Sequence, residues 1–265
     1  MLTGVTAKWQ APAVPARRCL VTGAGRGIGA AVAQRLAAEG HAVALTARSA
    51  DELDALAARL PGPSLVVPAD LTDPAAADAV VSRVEQEWGG PVEVLVLNAG
   101  AATSAPLART TDEDWAQMLD LNLTAPFRLM RRVLPGMVDQ GWGRVVAIAS
   151  IAAKQGDPYV SAYTASKHGL LGLVRSAAAE VARKGVTVNA VCPAYVDTPM
   201  TAGTVATISA TTGRSAEEAR AALERRQPIG RLIDPEEVAD AVLLCVASAA
   251  ITGQGINVDG GAVQS

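Results

Sequence analysis

The chain has 265 residues, half of them hydrophobic, 18% charged and 3% aromatic, with a formal net charge of -3. That is enough apolar material for one sizeable core, while the mild acidity and scarcity of aromatic rings exclude a polyanion-binding surface and a nucleic-acid partner. Cys19, Cys192 and Cys245 lie far apart with no metal-ligand spacing, so they read as reduced, buried thiols of a cytoplasmic protein without a metal site.

Residues 1–18, rich in Ala and Pro, lack the basic front and apolar run of a signal peptide. They read as a flexible extension ahead of a single domain over 19–265. The first apolar run, Cys19-Leu20-Val21, predicts a strand. After it comes Thr22-Gly23-Ala24-Gly25-Arg26-Gly27-Ile28-Gly29, which passes straight into a helix with Ile28, Val32 and Leu36 on one face. Further strands are predicted at Ala42 to Thr46, Ser64 to Pro68, Val92 to Leu97, Arg144 to Ala149, Val186 to Val191 and Gly255 to Val258. Helices are predicted at Asp51 to Leu60, Pro74 to Trp88, Asp112 to Leu134, Ser161 to Ala182 and Pro235 to Ala247. Pro74 and Pro235 each follow an Asp, the pattern of an N-cap with proline at the first helical position. Thr198 to Gly230 breaks the rhythm and reads as a substrate lid without legible chemistry. The longest uncharged stretch, Ala241 to Val258, is interrupted by Gly253, Gln254, Gly255 and Asn257, so no membrane span is expected. The alternation predicts a single-domain α/β Rossmann fold, a doubly wound seven-stranded parallel sheet with helices on both faces.

The Gly-rich turn, set between strand and helix, suits a pyrophosphate: glycines allow a tight turn, and the helix N-terminus offers N–H groups to an anion. At the end of the second strand an NAD site would place a carboxylate, but here Ala47 is followed by Arg48-Ser49. Arg48 and Arg26 suit a 2′-phosphate, so NADPH is expected over NADH, with use of NAD left open. Downstream come Asn98-Ala99-Gly100 at a strand end, Asn122 in a helix, Ser150 at a strand end, and Tyr163 with Lys167 one helical turn later. An ammonium beside a phenol favours the phenolate, so Lys167 is expected to lower the pKa of Tyr163 and tune it for proton transfer.

These motifs, with Asp70-Leu71, Pro193 and Thr198, resemble the short-chain dehydrogenase/reductase family over about Cys19 to Val263. The resemblance implies that Tyr163 is the general acid in reduction and that Ser150 steadies the carbonyl oxygen. Lys167 would bind the nicotinamide ribose, and Asn122 would hold a water linking Lys167 to solvent. Asp70 and Leu71 would border the adenine, Asn98 would brace that part of the site, and Pro193, Ala194, Val196 and Thr198 would contact the nicotinamide end. The family usually has Gly where Ala194 stands, a change expected to be harmless. Among family members the chain is most similar to 3-oxoacyl thioester reductases, 3-hydroxyacyl-CoA dehydrogenases and polyketide ketoreductases, so the substrate is expected to be a 3-oxoacyl thioester or, alternatively, a free ketone or polyketide. The stretch Met137 to Gly143, with one Asp and no Lys or Arg, is expected to disfavour carrier-protein docking. A homotetramer, or at least a dimer, is implied. A dinucleotide-binding regulator without catalysis would lack Tyr163 or Lys167, and both are present.

Overall fold

A computed structural model describes residues 16–264. Of the extension expected over 1–18, positions 1–15 lie outside the described residues. Arg17 and Arg18 belong to the domain instead, because both pair with the buried Glu93 carboxylate, at 2.7 and 3.2 Å. The strand therefore opens at Arg18, one residue earlier than its apolar run.

The strands are β1 (Arg18–Thr22), β2 (Ala42–Thr46), β3 (Ser64–Val66), β4 (Val94–Leu97), β5 (Gly143–Ile148), β6 (Val186–Pro193) and β7 (Gly255–Val258). They form one parallel sheet in the order β3-β2-β1-β4-β5-β6-β7, as the alternation predicts. The helices are α1 (Gly27–Ala38), α2 (Ala50–Ala57), α3 (Ala76–Trp88), α4 (Asp112–Leu119), α5 (Ala125–Asp139), α6 (Ser161–Val181), α7 (Pro199–Thr212), α8 (Ala216–Glu224) and α9 (Pro235–Ala247).

Strand periodicity divides the core in two. Leu20, Ala44, Leu95, Leu97, Val145 and Ala147 point to the face covered by α3, α5 and α6. Their neighbours Val21, Val43, Leu45, Val96, Val146 and Ile148 point to the face covered by α1, α2 and α9. Both faces are apolar, which explains why the strands read as runs without alternation. Each fully buried leucine, such as Leu20, Leu36 or Leu95, contributes roughly 1.5–3 kcal/mol. At β1 and β4 the chain departs to opposite faces, and this reversal opens a crevice at the carboxyl ends of the strands.

The larger departures from the sequence pattern lie in the helices. Helix α3 begins at Ala76 because the Asp73 carboxylate accepts the Ala75 N–H at 2.9 Å, closing a turn before the helix. Pro235, by contrast, does open α9, where the Glu237 carboxylate accepts the Asp234 N–H at 2.9 Å. The helix expected over 112–134 is α4 and α5 joined by a π-helical segment, Asp120–Thr124, and it runs through Pro135 to Asp139. The lid is two helices: Thr198 caps α7 ahead of Pro199, and Ser215 with Glu218 forms a capping box on α8. Among the described residues no helix is long and apolar enough to cross a membrane.

Candidate active site

The turn after β1 is held from beneath. Thr22 Oγ1 accepts the N–H groups of Asn98 and Ala99 at 2.9 and 3.0 Å, and Asn98 Nδ2 donates to the carbonyls of Thr22 and Gly23, both at 3.0 Å. Gly23 has φ +62° and Gly27 φ +57°, conformations that a side chain resists. A Cβ at Gly29 would collide with the Gly23 carbonyl, so α1 can pack on the turn only with glycine there. Arg26, at the N-cap of α1, makes no side-chain cap, which leaves the first-turn N–H groups for another acceptor. Ile28 and Thr198 line the cleft above, and Thr198 packs against Gly27. Glycine positions, uncapped amides and cleft together fit a dinucleotide pyrophosphate.

Ala47 follows β2 where a carboxylate would stand, and Arg48 beside it is exposed. Ser49, expected to contact cofactor, spends its hydroxyl capping α2, accepting the Glu52 N–H at 3.3 Å. Asp70 accepts the Thr72 N–H and hydroxyl at 3.0 and 2.8 Å, and these bonds hold its carboxyl below the ordinary range. Leu71 beside it is buried in the core.

The catalytic candidates converge. Ser150 follows β5, and its hydroxyl accepts the Ala152 N–H at 3.1 Å and bonds the Tyr163 phenol. Lys167, one turn beyond Tyr163 on α6, is buried; its Nζ donates to the Ile148 carbonyl at 2.8 Å and lies 5.7 Å from the centre of the Tyr163 ring. Burial pushes Lys167 down to about 8. The expectation that Lys167 lowers the pKa of Tyr163 is corrected here: burial dominates and raises it above the ordinary phenol value, with the Ser150 bond opposing. At neutral pH the phenol carries its proton.

Asn122 sits in the π-helical segment, fully buried. Its Oδ1 accepts the Ala101 N–H at 3.0 Å, and its Nδ2 donates to the Ala101 carbonyl at 2.9 Å and to Ser166 Oγ at 3.1 Å. Both amide hydrogens are spent, so the side chain tethers the loop after β4 to α6. Gly100 lies beside it: a Cβ there would meet Asn122 Oδ1 at 2.9 Å and Lys167 Nζ at 3.6 Å.

The cleft is lined by Ile28, Asn98, Gly100, Ser150, Tyr163, Lys167, Pro193, Ala194, Val196 and Thr198, together with Ala101, Ile148, Ala149, Met200 and Thr201, which sequence reasoning did not single out. Among the described residues no carboxylate or imidazole lines it. Ala194 is unstrained, since Tyr159 is the only non-glycine at positive φ among the described residues. A second cavity of about 230 Å³ adjoins at Ala194. Arg226 closes it, donating to both Asp157 oxygens at 2.5 and 2.7 Å and to the Tyr195 hydroxyl at 3.1 Å. No local pattern marks this cluster, whose partners are 69 and 31 residues apart.

The stretch Met137 to Gly143 is a correction. It precedes β5, whereas Ser150 follows that strand, so the stretch lies at the opposite edge of the sheet from the cleft. Within one chain its lack of basic residues therefore does not describe the rim of the cleft. Arg132, nearby on α5, is already paired with Asp78 and Glu85.

A family model described as short chain dehydrogenase matches residues 17–209. A putative ketoacyl reductase of Streptomyces coelicolor is 41% identical over 249 residues, covering 91% of this chain and 95% of its own. The 3-oxoacyl-[acyl-carrier-protein] reductase FabG of Escherichia coli is 36% identical over 244 residues, covering 91% and 95%. A crystal structure of a variant actinorhodin polyketide ketoreductase with NADPH superposes with a TM-score of 0.89 at 38% identity, covering 96% of this chain and 99% of that one.

Proposed function

The chain belongs to the short-chain dehydrogenase family, and from that premise we propose that it is an NADPH-dependent oxidoreductase that reduces the ketone of a 3-oxoacyl thioester to a secondary alcohol. One observation carries the reading: the Tyr163 phenol, protonated and bonded to Ser150, is the one neutral proton donor of suitable strength in a cleft that holds no carboxylate or imidazole.

When bound, the nicotinamide supplies the hydride. The Gly-rich turn would hold the pyrophosphate, Arg48 and Arg26 the 2′-phosphate, Lys167 and Tyr163 the nicotinamide ribose, and Pro193 to Thr198 the nicotinamide amide. Ser150 and Tyr163 hold the substrate carbonyl oxygen between two hydroxyls. As negative charge grows on that oxygen, Tyr163 passes its proton to it, and the Lys167 ammonium offsets the charge left on the phenol. Asn122 keeps the loop carrying Gly100 and Ala101 against α6, which fixes the width of the cleft.

The named activities of the ketoacyl relatives favour a thioester over a free ketone. A homotetramer accompanies this reading, since Trp115 and Phe127, on the helices flanking Asn122, are each 41% exposed and offer apolar surface to a second copy. Sedimentation at micromolar concentration should show more than a monomer. Three free, buried cysteines suit the cytoplasm. The direct test mixes protein, NADPH and a 3-oxoacyl thioester and follows nicotinamide absorbance. Loss of absorbance with formation of the 3-hydroxy product is expected, and no turnover across β-keto thioesters, β-ketoesters and free ketones would overturn the reading.

A further inference from the structure

Glu52 puts a carboxylate against a turn that otherwise suits an anion. It is the third residue of α2, and the Ser49 cap on its N–H fixes the first turn of that helix. The side chain then lies over the turn after β1. A Cβ added at Gly25 would come within 2.8 Å of Glu52 Oε2 and 3.0 Å of its Cβ, so the acid packs on the turn itself. Its Oε1 accepts from Arg26 Nη1 at 3.5 Å. Both side chains are substantially exposed, at 65% for Arg26 and 41% for Glu52, so the pair does little for stability. Its consequence is electrostatic. Of the two arginines at this corner, Arg26 is engaged by a carboxylate, while Arg48 acts on Asp70 only through its field.

We infer that Glu52 is a specificity-determining residue, which weakens the preference of this corner for a 2′-phosphorylated adenosine. The inference rests on the NADPH reading above. An incoming 2′-phosphate must share Arg26 with Glu52 and meets the carboxylate's negative charge. A free 2′-hydroxyl meets no such repulsion and can donate a hydrogen bond to a carboxylate. The same residue therefore penalises one adenosine and tolerates the other, narrowing the gap between them.

Replacement by glutamine keeps the length and the packing on Gly25 and removes the charge. The probes are 2′,5′-ADP and 5′-AMP, which report the phosphate contact without turnover, titrated calorimetrically into wild-type protein, E52Q and E52K. Wild type should bind 2′,5′-ADP more tightly than 5′-AMP. E52Q should tighten 2′,5′-ADP by about threefold to tenfold and leave 5′-AMP within about twofold. E52K should go further in the same direction, and both gains should shrink in high salt. If wild type prefers 2′,5′-ADP but E52Q leaves that affinity unchanged or weakens it, the role of Glu52 is overturned and the cofactor reading stands. If wild type and E52Q both bind the two probes equally, the cofactor reading fails and this inference with it.

Discussion

Two buried cations sit at opposite edges of the same sheet and are treated in opposite ways. Arg144, at the amino edge, spends its guanidinium on the carbonyls of Val246, Gly143 and Gly185, at 3.1, 2.8 and 3.2 Å, and stacks 4.5 Å from the centre of the Trp142 ring. Lys167, at the carboxyl edge, donates to the Ile148 carbonyl at 2.8 Å and faces the cleft. Arginine keeps its charge when buried, whereas the Lys167 ammonium is pushed down to about 8. At one edge the buried cation is satisfied by protein carbonyls. The other holds a charge at a cost in stability, with donor capacity left over for a ligand.

Substitutions at the two positions should separate these roles. Lys167→Ala should lower kcat by about a hundredfold or more and weaken NADPH binding, because the phenol loses its neighbouring cation and the cofactor a donor. Steady-state kinetics with a cofactor titration checks both. Arg144→Met should take the guanidinium away from the carbonyls of Val246, Gly143 and Gly185 and cost about 3 kcal/mol of stability in urea unfolding, with kcat in the surviving folded protein nearly unchanged.

Lys167→Met should behave differently again. The wild-type lysine has a folded pKa depressed from its unfolded value of 10.5 to about 8. The unfolded chain therefore binds more protons between those values, and wild-type stability should rise with pH across that window. The methionine variant lacks this rise. Its stability relative to wild type should be most favourable below pH 8 and should fall by about 3 kcal/mol on reaching pH 10.5. A difference between the two proteins that stays flat with pH would show that the charge costs nothing.

The smallest effect belongs to the outer rim. Arg48→Asp should reverse the preference for NADPH over NADH, with about tenfold to a hundredfold loss for the phosphorylated form. Relative Kd values for the two cofactors decide it, and an unchanged ratio would remove Arg48 from the site.

Much of this was legible because its causes are local. The apolar runs of β2 and β7 mark those strands to the residue, and the Tyr163 to Lys167 spacing places both groups on one face of α6. Other features depend on distant partners. The π-helical segment at Asn122 takes its register from packing against Ala101 and Ser166, which no helical periodicity reports. The Arg226–Asp157 pair joins the lid to the loop before α6 across 69 residues. The phenol's pKa depends on how deeply the cleft buries it, whereas spacing alone argued only for the charge on Lys167. The lid helices did carry signals, Thr198-Pro199 and the Ser215 to Glu218 box, but their nearly unpatterned exposed faces hid them.

The most direct test of the account is Tyr163→Phe. This change keeps the ring and its packing while removing the phenol proton assigned to the carbonyl oxygen. With NADPH and a 3-oxoacyl thioester, turnover should fall by about 10²–10⁴ or more while NADPH still binds. A folded Tyr163→Phe protein that retained more than about a tenth of wild-type turnover would contradict the assignment of Tyr163 as the proton donor, since that contribution should be far larger.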